Sequence, residues 1–237
     1  MRKPLAFEAY ETLAEAYSAH VDTKPHNAYY ERPATLSLLP DVAGLTVLDA
    51  GCGPGSYTQW LVRHGARVVA IDASPRMIEL AKSRVSAGVD YHVADLEGNL
   101  PFLSDGSFDL VIAPLVMDYL RDWQEVFMKF NRLLKPGGWL VFSSGHPMFD
   151  AKYYNTADYF ATELVRCTWK GFGVPVEMPS YRRSLSSAIN PLLESGFEIV
   201  QILEPKPTEH FQRADPVKYK RLMCEPCFLC IKARKAA

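Results

Sequence analysis

The apolar positions of the chain change their spacing at Thr46. Before it, Leu13, Ala16 and Tyr17 recur at helical spacing, which predicts a helix over residues 7–19, followed by a polar loop at 22–27. After it, short apolar runs alternate with amphipathic stretches, which predicts a parallel sheet covered by helices on both faces. The predicted strands are 46–50, 66–71, 89–94, 108–114 and 139–143, and the helices between them are 56–64, 74–85 and about 122–134.

Pro and Gly residues, together with the lengths of the connections, indicate where the remaining helices and strands begin and end. Lys135-Pro-Gly-Gly138 predicts a turn between a helix and the fifth strand. About 40 residues then precede a helix at 184–195, too many for an ordinary connection, so we expect a functional insertion. Strands at 197–203 and 227–232 close the sheet, and the long Pro-rich loop between them suits antiparallel neighbours.

These elements predict a single α/β domain of three layers. Its seven-stranded sheet is expected to be parallel apart from one reversed strand. The expected parts are a helical N-terminal cover at 1–40, a ligand-binding core at 41–145, a substrate cap at 146–183, and a last helix with the closing strands at 184–237.

Composition disfavours a disordered chain, a fibrous protein and a small disulfide-stapled protein. The 237 residues are 48% hydrophobic, and 26 Lys and Arg face 27 Asp and Glu, which is typical of a soluble globular domain. The net charge of -1 and the lack of a dense basic stripe argue against a nucleic-acid partner. Because no signal segment or membrane-length apolar run is present, we expect a cytoplasmic protein without a membrane partner. The odd count of 5 cysteines suits reduced thiols.

The strongest candidate site is Asp49-Ala-Gly51-Cys-Gly53-Pro-Gly55, between the first strand and the next helix. Glycines there let the backbone turn sharply and approach a ligand at the carboxyl ends of the strands. Asp72 ends the next strand about 20 residues later, where a carboxylate can accept both hydroxyls of a ribose. A dinucleotide fingerprint would need its third glycine at position 56, which is Ser56, and this disfavours a nicotinamide dehydrogenase.

The glycine segment resembles the first motif of class I S-adenosylmethionine-dependent methyltransferases, a Rossmann-like family with a seven-stranded sheet. Asp72-Ala73 is similar to the acidic second motif, Ala94-Asp95-Leu96 to the third, 108–114 to the fourth strand, and 134–142 to the lead into strand five. The similarity runs in order over roughly residues 45–145. It implies an enzyme with one methyltransferase domain over 1–237, S-adenosylmethionine as cofactor and S-adenosylhomocysteine as product.

The resemblance also implies a role for individual residues. Asp72 would hold the ribose, Asp95 the adenine amino group, and Pro114 would line the methionine part. Asp49 would either order the glycine loop or accept a hydrogen bond from the ammonium group, and Met77 would pack on adenine or only fill the core. The complete predicted cofactor set is Tyr30, Asp49, Gly51, Cys52, Gly53, Gly55, Asp72, Ala73, Met77, Asp95, Leu96 and Pro114.

Segments outside the core resemble a narrower group of bacterial small-molecule methyltransferases. They include residues 24–33, Gly145-His-Pro147 and Tyr181-Arg-Arg183. In such proteins an N-terminal cover lies over the cofactor, which here would bring Tyr17, Tyr29 and Tyr30 near it. We expect Tyr30 to bond near the methionine carboxylate, the alternative being simple packing.

The insertion after strand five is expected to cover the site where the methyl acceptor binds. Its aromatic residues predict an apolar pocket wall or, alternatively, a small satellite core. Methyl transfer from a sulfonium needs a base only where the acceptor must lose a proton. The candidate bases are His146, after strand five, and Asp118, after strand four. The alternative role of His146 is to order a loop, and that of Asp118 is to cap a helix or lie in solvent. Relatives often carry His in place of Asp118, so the acid departs from the pattern.

Cys224-Glu-Pro-Cys227-Phe-Leu-Cys230 offers three thiols, but we expect no metal. Cys227 and Cys230 would point to opposite faces of a strand, and no fourth ligand is near in sequence.

The sequence thus predicts methyl transfer to an oxygen, nitrogen or carbon of a small, partly aromatic or apolar molecule. The alternatives are an RNA- or protein-directed methyltransferase on the same fold and a cofactor-binding protein without catalysis. The oligomeric state stays open between monomer and homodimer.

Overall fold

Seven strands form the central sheet of the computed structural model, which describes residues 3–236. The described residues form nine strands in all: β1 Thr46–Ala50, β2 Arg67–Asp72, β3 Val89–Val93, β4 Phe108–Pro114, β5 Leu134–Gly145, β6 Glu163–Trp169, β7 Val176–Arg182, β8 Phe197–Leu203 and β9 Phe228–Lys235. The sheet order is β3-β2-β1-β4-β5-β9-β8, and β6 and β7 pair separately as a hairpin. Only β9 runs against its neighbours in this sheet, so the predicted fold class is confirmed.

Alternation of side chains along the central strands decides where the helices pack. The helices are α1 Phe7–His20, α2 Arg32–Ser37, α3 Ser56–Arg63, α4 Pro75–Arg84, α5 Trp123–Leu133, α6 Pro147–Tyr153, α7 Leu185–Glu194, α8 Glu209–Ala214 and α9 Pro216–Leu222. Leu48 and Ala50 of β1 face the layer that contains α5 and α7, whereas Val47 faces α2, α3 and α4. Both faces are therefore buried, as a parallel sheet requires.

The start of β5 differs from the expected turn at Lys135–Gly138. Helix α5 ends at Leu133, and Leu134 pairs at once with Phe108 of β4. The register between the two strands then shifts, and Gly137 has a φ of 70°. The glycines are thus an irregularity inside a long strand, because a glycine at positive φ lets the strand bulge without ending it.

Two segments expected as loops contain helices. Residues 25–31 continue into α2 through a π-helical turn, Asn27–Glu31, so the loop after α1 is shorter than expected. The Pro-rich connection between β8 and β9 contains α8 and α9. Pro216 is the first residue of α9, and the Asp215 side chain caps it, a local signal that the sequence does carry.

The insertion after β5 forms α6 and the β6–β7 hairpin. The hairpin packs Met178 and Phe172 against Leu13 of α1, so the insertion and the N-terminal cover share one apolar cluster. Within the part of the chain that is described, no helix is long and apolar enough to span a lipid bilayer.

Arg182 ties the loop before β6 to β7. Its guanidinium is fully buried, donates to the carbonyls of Asp158, Tyr159 and Ala161, and pairs with Glu163 at 2.7 Å. A planar guanidinium reaches all four partners at once, which an ammonium group does not.

Arg182→Lys is expected to lower the free energy of unfolding by about 2–4 kcal/mol, because charge-assisted hydrogen bonds in a buried place are lost. Denaturant unfolding monitored by tryptophan fluorescence measures this change. Arg166→Lys, in the same hairpin but exposed beside Glu177, is the matched control and should change stability by less than about 0.5 kcal/mol. Equal midpoints for the two variants would contradict the role of Arg182.

Candidate active site

A cavity lies at the carboxyl ends of β1, β2 and β4, beneath α1. Helix α1 is held over it at two points: Ser74 donates to Glu11, and Arg76 pairs with Glu15. The cavity is lined by residues 4–7, Tyr10, Tyr17, Val21, Asn27, Glu31, Arg32, residues 51–54, Ser56, Tyr57, residues 72–74, Met77, residues 94–97, 114–116, Tyr119 and Leu120. It therefore joins the glycine turn, the acidic ends of the next strands and the N-terminal cover, as parallel strands bring their ends to one edge.

The glycine turn approaches the cavity with its bare backbone. Gly51 and Gly53 have φ of 79° and 52°, in the left-handed region that glycine adopts without strain. A Cβ on Gly51 would lie 2.5 Å from Val116 Cγ2, whereas a Cβ on Gly53 would meet nothing within 4 Å and would project into the open space beside the turn. Gly51 is thus required for close packing between strand ends, and Gly53 leaves room for a ligand.

Asp72 connects the glycine turn to the end of β2. Its Oδ2 accepts the Gly53 N–H and its Oδ1 accepts the Ser74 N–H, both at 2.9 Å. Each carboxylate oxygen keeps a further lone pair for a ligand donor. Burial raises the pKa of Asp72 to about 6, although the two N–H donors act in the opposite direction.

The side of the cavity beyond Asp72 combines one acid with apolar walls. Asp95 follows β3 and its Oδ1 accepts the Glu97 N–H at 2.9 Å. Met77, Leu96 and Leu120 are buried and form the walls around it. This arrangement suits a flat heterocycle that carries an exocyclic amino group.

The opposite end of the cavity contains charged residues that were not predicted. Glu31 and Arg32 line it, together with Tyr57 of α3. They lie in the stretch 24–33 that resembles the narrower methyltransferase group. The choice of Tyr30 within that stretch missed them, because the π-helical turn rotates the chain and brings the next residues inward.

Three members of the predicted cofactor set do not line the cavity. Tyr30 is buried against Phe211 and Phe228, and its hydroxyl accepts the Cys227 N–H, which corrects its expected position near the methionine carboxylate. Asp49 is fully buried behind the turn, and Gly55 packs against Ala81. The other nine line the cavity: Gly51, Cys52, Gly53, Asp72, Ala73, Met77, Asp95, Leu96 and Pro114.

Asp49 stabilises the start of α3 from a buried position behind the glycine turn. Its Oδ2 accepts the Thr58 hydroxyl at 2.6 Å, and its Oδ1 has no hydrogen-bond partner among residues 3–236. Burial raises the pKa of Asp49 to about 7. Of the two roles considered for this acid, the geometry favours ordering the start of α3 over contact with an ammonium group.

Three tyrosines, Tyr10, Tyr17 and Tyr119, form one wall of the cavity. Tyr10 and Tyr119 share a hydrogen bond between their hydroxyls at 2.8 Å, and Tyr10 also contacts the rings of Tyr17 and Trp169 edge to face. Burial raises the pKa of Tyr10 and of Tyr119. These hydroxyls therefore stay neutral at physiological pH.

His146 does not reach the cavity, which corrects its assignment as a general base. Its Nδ1 accepts the Met148 N–H at the start of α6, and its Nε2 lies 2.8 Å from Glu204 Oε1. Since Nδ1 acts as acceptor, Nε2 carries the proton and donates to Glu204. No ring lone pair is left to take a proton from an acceptor, and the alternative of a loop-ordering histidine describes the geometry.

Asp118 is likewise displaced from the cavity. Its Oδ2 accepts the Gly145 N–H at 2.8 Å, which fixes the end of β5. Burial raises the pKa of Asp118, and burial together with the charge of Asp118 raises the pKa of the nearby Asp150. The expected role of Asp118 as a base toward an acceptor is therefore corrected to one in positioning the strand end.

Comparisons with known proteins identify the class. The methyltransferase domain family matches residues 48–142. An S-adenosylmethionine dependent methyltransferase of known structure from Mesorhizobium loti is 30% identical, with 90% of this chain and 99% of that chain aligned and a TM-score of 0.70.

Two curated relatives are similar over the core of the chain. The ubiquinone biosynthesis O-methyltransferase of Xanthomonas oryzae pv. oryzae is 36% identical over 151 residues, 61% of this chain and 63% of its own. The malonyl-[acyl-carrier protein] O-methyltransferase of Pseudescherichia vulneris is 33% identical over 136 residues, 57% and 51% of the two chains. The chain thus spans less than two thirds of the length of these two relatives.

The fold and the cavity define a Rossmann-like protein with an open cavity at the carboxyl ends of its parallel strands. The chain belongs to the S-adenosylmethionine-dependent methyltransferases and is an enzyme of that class, with S-adenosylmethionine as its cofactor. The residues present fit this cofactor, because Gly53 leaves open space where a Cβ would stand and Asp72 keeps free lone pairs beside it.

The open space at Gly53 leads to a prediction with an internal control. Gly53→Ala and Gly106→Ala both place a methyl group at a similar positive φ, 52° and 59°, with nothing within 4 Å, so each should lower stability by about 1–2 kcal/mol. Only Gly53 borders the cavity. S-adenosylhomocysteine affinity, measured by calorimetry, should fall at least about tenfold in Gly53→Ala and stay unchanged in Gly106→Ala; equal affinities would place the ligand elsewhere.

Proposed function

We propose that this enzyme transfers the methyl group to an oxygen, nitrogen or carbon atom of a small molecule by in-line displacement. The observation that supports it best is the cover that lies over the cavity. Helix α1 and the tyrosine wall cover the strand ends, and the β6–β7 hairpin packs on the same cluster. A covered, aromatic entrance suits a small, partly aromatic or apolar acceptor better than a folded macromolecule.

The residues around the cavity would position the cofactor in three sections. Asp72 would accept the ribose hydroxyls, and Asp95 would accept the adenine amino group between Met77 and Leu96. The bare backbone at Gly51 and Gly53 would admit the amino-acid end. When bound, S-adenosylmethionine supplies a methyl group on a positively charged sulfonium, a leaving group that needs no protonation.

The tyrosine wall would align the acceptor and exclude water. Orientation of two reactants supplies a large part of a displacement rate, so a dedicated proton acceptor is not required by the chemistry. Tyr10 and Tyr119 stay neutral, and because one hydroxyl donates to the other, the pair has one proton left to donate to an acceptor oxygen or nitrogen. With His146 turned away, the proposal assigns no general base, which favours acceptors that are already nucleophilic at neutral pH.

The relatives support a small acceptor but leave its identity open. The printed names of the two curated relatives point to ubiquinone biosynthesis and to a malonyl group on a carrier protein, which are chemically unlike. The match to each is confined to about half to two thirds of the chain. The chemical class of the acceptor is therefore proposed from the cavity, because its aromatic wall favours a molecule that contains a ring.

Methyl transfer from labelled S-adenosylmethionine tests the proposal directly. With a panel of acidic phenols and aromatic amines, which are nucleophilic at neutral pH, a pooled tRNA fraction and a protein extract as acceptors, label is expected in the small molecules only. Transfer to RNA that weakens steeply with salt would instead favour a nucleic-acid substrate. Cofactor binding without transfer to any of these acceptors would count against the proposed small-molecule reaction and favour the non-catalytic alternative.

Asp72→Asn is expected to weaken S-adenosylhomocysteine binding by about 1–3 kcal/mol, because ribose hydroxyls lose a charged acceptor. In the wild type, affinity should rise between pH 5 and pH 7.5, since the pKa of about 6 leaves the carboxyl protonated at the lower end. Calorimetry across this range measures both effects. Asp90→Asn, exposed on β3, is the control and should leave affinity and its pH profile unchanged; the same behaviour in Asp72→Asn would exclude the ribose role.

A further inference from the structure

The cavity end opposite Asp95 carries both signs of charge side by side. Glu31 and Arg32 are consecutive residues and both line the cavity. An α-amino acid group carries an ammonium and a carboxylate on neighbouring atoms, so an adjacent acid and base complement it. The inference below rests on the proposed cofactor position and adds the group that receives its amino-acid end.

Glu31 is held in one orientation by hydroxyl groups. Its Oε1 accepts from Thr35 at 2.8 Å, Ser143 at 2.6 Å and Tyr57 at 2.9 Å. Its Oε2 is 3.0 Å from that same Tyr57 hydroxyl, which has a single proton to donate. One carboxylate oxygen is thus saturated by the protein, whereas the other keeps acceptor capacity.

No cation contacts the Glu31 carboxylate directly in the described part of the chain, although the charge of the neighbouring Arg32 acts on it. Among residues 3–236 its carboxylate has no ion pair, although only 2% of the residue is exposed. The Arg32 guanidinium turns instead to Asp22 at 2.7 Å and to the Val21 carbonyl. A buried carboxylate bonded only to hydroxyls is costly, and a bound cation would remove that cost.

The two acids near this end differ in what they can reach. Asp49, the acid of the first motif, lies behind the glycine turn and bonds Thr58, away from the cavity. Glu31 lies on the cavity surface, over the ends of β4 and β5, where Ser143 both donates to it and accepts the Leu115 N–H at 3.0 Å. Burial also raises the pKa of Glu31, so its ionised form has the most to gain from a nearby positive charge.

We propose that Glu31, and not Asp49, receives the α-ammonium group of the cofactor, while the positive charge of Arg32 beside it favours the α-carboxylate. Glu31 is then a specificity residue that distinguishes the intact cofactor from nucleosides without an amino-acid end. Its fixed geometry through Thr35, Ser143 and Tyr57 prepares the site before the ligand arrives.

Cofactor analogues that lack part or all of the amino-acid end test this assignment. Calorimetry on the full chain would use S-adenosylhomocysteine, its analogue without the carboxylate, and 5′-methylthioadenosine, which lacks both charged groups. In Glu31→Gln, affinity for the first two should fall by about tenfold or more, and affinity for 5′-methylthioadenosine should stay within about twofold of the wild type. Glu198→Gln, exposed on β8, is the matched control and should change none of the three.

The outcomes separate this inference from the proposed function. A similar loss for all three ligands would show that Glu31 only supports the fold, and unchanged affinity for all three would show that it does not contact the ammonium; either result overturns the assignment. If the wild type bound none of the three, the cofactor position itself would fail. Should Glu31→Gln not fold, Glu31→Asp, which retracts the charge by one methylene, must show the same selective loss.

Discussion

The hydrogen bonds between Asp72 and the Gly53 and Ser74 amides are the interaction on which the site depends. They connect the turn after β1 to the end of β2 and to the cap of α4. A parallel sheet brings such strand ends to one edge, but a carboxylate is needed to hold two loops at a fixed separation. The same carboxylate keeps further lone pairs, so the residue that builds the site is also the one to which the ribose contact is proposed.

The N-terminal segment covers part of this open edge and so shapes the cavity. Helix α1 contributes Tyr10 and Tyr17, and the π-helical turn that follows contributes Glu31 and leads into Arg32. The insertion supports this cover from the other side through Phe172 and Met178. Two segments far apart in the chain thus depend on each other. Of the two roles expected for the aromatic residues of the insertion, the structure supports the small core, because none of residues 146–183 lines the cavity.

Sequence patterns predicted the parts of the site that lie on regular elements. Asp72 ends β2, whereas Gly51 and Gly53 lie in the turn after β1 and Asp95 follows β3. The topology of the parallel strands brings these ends together. The glycines inside β5 were misread as a turn, because a bulge and a turn have the same local composition. The hairpin β6–β7 was missed, since its pairing is a long-range property of the insertion.

The sequence by itself determined the fold class, the cofactor class and the positions of the residues at the strand ends. The reason is that periodicity and backbone requirements are visible in residues that are neighbours in the chain. Tertiary structure alone decided the direction of side chains outside the strands. Tyr30 turned away and Glu31 turned inward through a π-helical turn, and His146 was engaged by Glu204, a residue 58 positions away. Such choices depend on which buried polar group finds a partner, and that partner is known only once the chain has packed.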